Sequence, residues 1–134
     1  MKNIVLCGSM AFIGKMRECA EILSGRGFVP ILPDEDDWGL IGEDERNEYK
    51  KKVSRAYFDK IAHQSTWAIL VVNEAKNGRD NYIGANTFAE IALAFYFGKK
   101  IYVLNGLYKP FADELLAWDA QMIFGDLEVM QTQC

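Results

Sequence analysis

Histidine is almost missing from this chain: His63 is the only one. A lone imidazole excludes His-rich metal sites and leaves no His-based catalytic dyad beyond this one residue. Cysteine is scarce and odd in number. Cys7, Cys19 and Cys134 show no CxxC spacing, which fits a reduced, cytoplasmic chain better than a disulfide framework. No apolar run approaches ~20 residues, so no helix that spans a membrane is expected. The opening MKNIVLCGSM is too short and too soon interrupted for a signal peptide, and reads as a strand that starts at once. Basic charge is not in surplus. The formal net charge is -4, which argues against a nucleic-acid polymer or an anionic membrane as partner, since both need a basic face. The close-set basics YKKK (49–52) and GKK (98–100) read as a solvated helix face and a strand entry. Internal repeats and low-complexity segments are also absent.

What is present is ordinary globular sequence. Of 134 residues, 50% are hydrophobic and 25% charged, enough for one domain, 1–134, to bury its own core. NIVLC (3–7), FVPIL (28–32), WAILVVN (67–73) and KIYVLN (100–105) read as strands, and AQMIFG (120–125) as a fifth. Pro30 puts the second strand at an edge, because proline cannot donate to a ladder. The unbroken apolar run of the third puts it at the centre. Helices are expected over 11–27, 45–65, 86–98 and 109–118. In the first, Phe12, Met16, Cys19, Ala20 and Leu23 share one stripe, and in the second Val53, Tyr57 and Ile61 recur every four residues. The stretch 33–44 reads as an acidic loop. Strict alternation of strand and helix implies an α/β fold: a flavodoxin- or Rossmann-like three-layer sandwich around a parallel sheet of about five strands. Ligands bind such sheets outside the carboxyl ends of the strands. The loops Cys7 to Met10, Asn73 to Asn86 and Asn105 to Tyr108 lie there.

One residue in this layout lacks an obvious place. DNYIGANTFAEIALAFYFG (80–98) holds a single charge after Asp80, and it is Glu90. Thr87-Phe88-Ala89-Glu90 fits a capping box, in which Glu90 would only reach back to a backbone N–H. The helix, however, is apolar nearly all round, with Phe88, Ile91, Ala92, Phe95 and Tyr96 as its core stripe. A carboxylate there is partly desolvated, which is costly unless something uses or pairs it. Its pKa is then expected above the ~4.3 of a free glutamate. Gly84, just before the helix, marks a sharp turn or a close backbone approach.

CGSM after the first strand, FDKIAHQSTWAILVVN and GANTFAEIALAFYFGKKIYVLN together resemble the nucleoside 2-deoxyribosyltransferase family and the related 2'-deoxynucleoside 5'-phosphate N-hydrolases. The resemblance runs from about Asn3 to Trp118. It implies that Glu90 is a nucleophile that attacks C1' of the sugar, expels the base and forms a glycosyl-enzyme ester, which a second base or water releases. It promotes Asp59, eight residues before Trp67, from a solvated residue to a catalytic one in contact with sugar or base. It assigns substrate contacts to Gly8, Ser9 and Met10, and to Gly84 and Asn86 before the nucleophile. It places Glu114 near the position from which a neighbouring subunit donates a residue. The implied partner is a small-molecule nucleoside or nucleotide, with neither cofactor nor metal.

Several residues depart from the family pattern. The acid that transferases carry six residues before the nucleophile is Gly84 here, and the aspartate usual at the start of the central strand is Trp67. The glycine two residues after the nucleophile is Ala92, and no glycine-arginine-rich run follows CGS. A non-catalytic nucleotide-binding module that keeps the pocket is therefore a second reading. A looser similarity links GANTFAE to the GGxGTxxE loop of phosphoribohydrolases. Finally, helix 86–98 together with Leu115, Leu116 and Trp118 offers more apolar surface than one small fold needs, so a homo-oligomer, dimer or higher, is expected.

Overall fold

A computed structural model describes residues 2–34 and 42–131, with the side chains of Glu43 and Asp44 excepted. Five strands form one sheet: β1 (Asn3–Cys7), β2 (Val29–Ile31), β3 (Thr66–Val71), β4 (Lys100–Val103) and β5 (Gln121–Met122). Every pairing is parallel and the order is β2-β1-β3-β4-β5. The helices are α1 (Ile13–Gly25), α2 (Glu43–Ala62), α3 (Ala85–Tyr96) and α4 (Ala112–Ala117). Single 3-10 turns, Met10–Phe12 and Lys109–Phe111, lead into α1 and α4. This is the doubly wound α/β sandwich that the alternating pattern implies, with β2 at the edge and β3 in the middle.

Period-2 alternation sorts the sheet residues onto two faces. Ile4, Leu6, Leu70, Tyr102 and Leu104 meet α1 and the 3-10 turn at Leu127–Val129. Val5, Cys7, Ile69, Val71 and Val103 meet α2, α3 and α4. All five residues of the expected α1 stripe are buried, as are Tyr57 and Ile61 of α2. Full burial of each large aliphatic side chain contributes roughly 1.5–3 kcal/mol, so these faces carry the fold.

The structure corrects the phase of α3. Its buried residues are Thr87, Ile91 and Ala94, while Phe95 is 47% and Tyr96 81% exposed. The small side chain of Ala94 lets the helix lie close on the sheet, and the larger rings are displaced outward. Phe88 packs at a tilt against Phe111 and stacks on Trp118, and Phe95 stacks on Trp118. Leu115 is fully buried within its own domain. Much of the apolar surface expected at an interface is thus covered by α4. The segment expected to be an acidic loop also differs: Glu43 and Asp44 belong to α2, and residues 35–41 lie outside the described residues. Among the described residues, no helix is long and apolar enough to cross a membrane.

Candidate active site

β2 pairs with one edge of β1 and β3, β4 and β5 follow on the other, so the strand order reverses between β1 and β3. Their carboxyl ends lie in register, Cys7 opposite Val71, and the Val72 N–H donates to the Cys7 carbonyl at 2.8 Å. A cavity of about 340 Å³ opens beside this point, on the face covered by α2 and α3. That size and place suit a small organic ligand. Cys7, Gly8 and Met10 line it from β1, Asp34 from the end of β2, Tyr57 from α2, and Asn86, Thr87 and Glu90 from α3.

The loops around the cavity are tied together. Asn73 is fully buried; its amide donates to the Gly106 carbonyl at 2.9 Å and accepts from the Asn105 N–H at 2.9 Å. Asn105 in turn donates to Glu74 Oε2 at 2.5 Å. Lys76 Nζ donates to Ser9 Oγ at 3.0 Å, which joins the loop after β3 to the loop after β1. Gly8 is the tightest point. A Cβ there would lie 2.7 Å from both Met16 Cε and the Val72 carbonyl oxygen. The methionine can move, but the carbonyl belongs to the central strand. Gly8→Ala is therefore expected to destabilise the fold by about 2 kcal/mol. A urea titration checks this as a lower midpoint with unchanged slope.

Glu90 does not cap its helix. The N-cap of α3 is Gly84, no side chain caps it, and Thr87 is buried a turn inside. Glu90 faces the cavity from the second turn, and no ion pair reaches it among the described residues. Burial pushes its carboxyl up from the usual 4.5 to about 7, and the neighbouring Cys7 thiol pulls the other way. Burial also pushes the Cys7 thiol well up, and the neighbouring Glu90 charge adds to it. The Tyr57 hydroxyl donates to the Leu6 carbonyl and lies 3.3 Å from the Ile31 carbonyl. Burial raises its pKa, with Cys7, Glu90 and Asp34 contributing.

The site residues expected from sequence separate into two groups. Gly8, Met10, Asn86 and Glu90 line one cavity. Asp59 does not; it is exposed on α2. Ser9 lies on the neighbouring loop, where its hydroxyl accepts from the Ala11 N–H at 3.3 Å and from Lys76. Gly84 begins α3 outside the cavity lining. Glu114 sits on α4, away from the cavity, with its Oε2 buried and unpartnered. Cys7, Asp34 and Tyr57 also line the cavity, and none of them is among the site residues expected from sequence. A signal existed for Asp34, because the loop after β2 is also a carboxyl-end loop. Tyr57 reads as one more apolar position in the α2 stripe.

Glu90 is thus a half-buried carboxylate with no ion pair among the described residues, in a cleft at the switch point of a doubly wound sheet, where α/β folds hold small ligands. No sequence-family model matches the chain, and no curated protein does. Among solved structures it is similar to the CMP N-glycosidase BcmB of Clostridium botulinum: TM-score 0.55 and 16% identity over 96% of this chain and 92% of that one. It is also similar to FerB, a flavoenzyme NAD(P)H:(acceptor) oxidoreductase of Paracoccus denitrificans, with TM-score 0.50 and 14% identity over 100% and 81% of the two chains. At such identities the likeness is one of fold.

Proposed function

We propose that this protein cleaves, or exchanges the base at, the N-glycosidic bond of a nucleoside or nucleotide, with Glu90 as the nucleophile. A fold that serves both a glycosidase and a flavoenzyme does not choose a chemistry; the site has to. The observation that carries the reading is Glu90 itself, a carboxylate kept half-buried in the cleft with no ion pair to it among the described residues. Such a group suits attack at C1', where it stabilises an oxocarbenium-like transition state and then leaves as an ester oxygen. Gly8, Met10 and Asn86 would contact the substrate around it. Asp34, the second carboxylate lining the cavity, would stand where the leaving base needs a proton, a role that Gly84 cannot fill. Asp59, Ser9 and Gly84 would act only through a ligand that extends beyond this cavity. The resemblance to the nucleoside 2-deoxyribosyltransferase family and its N-hydrolase relatives points the same way. The reaction fits a cytoplasmic setting in which Cys7 and Cys19 stay free thiols.

Incubation with a panel of nucleosides and their 5'-monophosphates, read as free base by chromatography, tests the proposal. Release from one of them supports it. Tight binding of a nucleotide that is recovered intact from every incubation would favour a binding module instead.

Two copies would associate through the aromatic face that α4 leaves open. Phe95, Tyr96, Phe97 and Leu116 are each at least 46% exposed there, beside the Phe95–Trp118 stack. Sedimentation equilibrium at low micromolar concentration is expected to give twice 15.2 kDa. Leu116→Arg is expected to return the monomer mass, because a buried unpaired charge costs on the order of 3–5 kcal/mol. A wild-type mass of one chain would remove the dimer, and with it any donation of Glu114 to a neighbour's cleft.

A further inference from the structure

We propose that Tyr57 is a positioning residue that holds the cleft open: its hydroxyl takes the place of a ladder donor that Pro33 lacks, which lets β2 part from β1 at the cleft. In a parallel ladder the hydrogen bonds to one neighbour recur every second residue. On β1 the Cys7 carbonyl accepts from Val72 on the β3 side, and the Lys2 carbonyl accepts from the Val29 N–H at 3.0 Å on the β2 side. The carbonyls of Ile4 and Leu6 therefore also face β2. With Asn3 opposite Val29 and Val5 opposite Ile31, the ladder donor for Ile4 is residue 31 and the one for Leu6 is residue 33. Residue 33 is proline and has no N–H to give.

Leu6 is fully buried, and a buried carbonyl without a donor is costly. The Tyr57 hydroxyl supplies the donor. It bonds the Leu6 carbonyl and lies 3.3 Å from the Ile31 carbonyl, which faces β1 at the same rung. The four-residue spacing of Val53, Tyr57 and Ile61 turns the ring toward the sheet, where Tyr57 is buried. The donor thus comes from α2 and not from β2. Strand pairing stops at Ile31. The residues beyond the last rung, Cys7 and Gly8 on one strand and Pro33 and Asp34 on the other, line the cavity together with Glu90. An N–H at residue 33 would add a rung there and draw Asp34 toward Gly8.

The proposal rests on the reading of the cleft as the site of base release, but its first test needs no substrate. Urea unfolding is measured for the wild type, Tyr57→Phe, Pro33→Ala and the double variant. Tyr57→Phe keeps the ring and removes only the donor, and is expected to lower the folding equilibrium constant about tenfold. In the Pro33→Ala background, where residue 33 can donate, the same change is expected to lower it less than about threefold. The cycle cancels what loss of the proline does to the unfolded chain. In the double variant an NMR coupling through the hydrogen bond is expected between the residue 33 nitrogen and the Leu6 carbonyl carbon. Equal costs in the two backgrounds, or no such coupling, overturns the proposal. If Tyr57→Phe does not fold, the double variant is still expected to fold, and its failure overturns the proposal equally. On a nucleotide that releases base, stability and turnover are expected to separate: the double variant recovers the fold but not the open cleft, so its KM rises at least about tenfold over that of Pro33→Ala, with kcat changed less. A double variant with the KM of Pro33→Ala would reduce Tyr57 to a structural bond and overturn its positioning role. If unfolding and coupling behave as expected and no nucleoside or nucleotide on the panel is cleaved, the glycosidase reading fails and the Tyr57–Leu6 clamp stands.

Discussion

Glu90→Gln is expected to reduce base release by on the order of 10³-fold or more, and to leave substrate affinity nearly intact. Glutamine keeps the length and planar shape of glutamate, so the cleft that Glu90 lines with Met10 and Asn86 keeps its form. It has no negative charge to set against a developing oxocarbenium ion, and an amide does not form the glycosyl ester readily. Loss of turnover with retained binding therefore separates chemistry from recognition. The same carboxyl predicts the pH profile. Only the anion attacks, and Glu90 loses its proton at about 7. The rate on free enzyme is thus expected to rise about tenfold per pH unit below that value and to level above it. Initial rates across pH 5 to 9 on the best substrate measure both effects. A glutamine variant that turns over at the wild-type rate would reduce Glu90 to a buried residue without chemistry.

The fold was legible in the sequence because its elements carry local signals. β1 spans the expected residues, β2 carries Pro30 at an edge, and the β3 run is central. The α1 stripe repeats cleanly and is wholly buried. The phase of α3 was not legible, because a helix apolar on nearly every side has no single face for periodicity to select. Its rotation is decided by Ala94 against the sheet and by the rings of Phe111 and Trp118, which are tertiary contacts. The site divides in the same way. Glu90 stood out as a lone charge in an apolar helix, and the cavity that it lines lies at the expected edge of the sheet. Sequence could not tell a capping box from a cleft residue, since the choice turns on whether the helix begins at Thr87 or at Ala85. Cys7 and Tyr57 look like core by type and spacing, and only the fold brings them to Glu90.

The charge that would serve catalysis is also expected to cost stability, and Glu90→Gln exposes that cost. In the unfolded chain the carboxyl titrates near its usual 4.5, and in the folded protein near 7. Between these values the folded chain holds more protons than the unfolded one, so stability falls as pH rises through the window. Well below it both states are protonated and the cost vanishes; above it the cost is complete. The cleft admits some solvent, and with that discount the penalty at pH 8 is about 2 kcal/mol. Glutamine never acquires the charge. The variant is therefore expected to melt on the order of 5–8 °C higher than the wild type at pH 8, for a chain of this size. Near pH 4 the two should melt together. Thermal unfolding followed by circular dichroism at both pH values gives the difference, in which effects of acid on other groups cancel. A gap that does not change with pH would mean that water reaches Glu90 freely, and the desolvated carboxylate on which the catalytic reading rests would be gone. A gap that opens as pH rises from about 4.5 and is complete above about 7 is what a carboxylate held desolvated in the cleft produces.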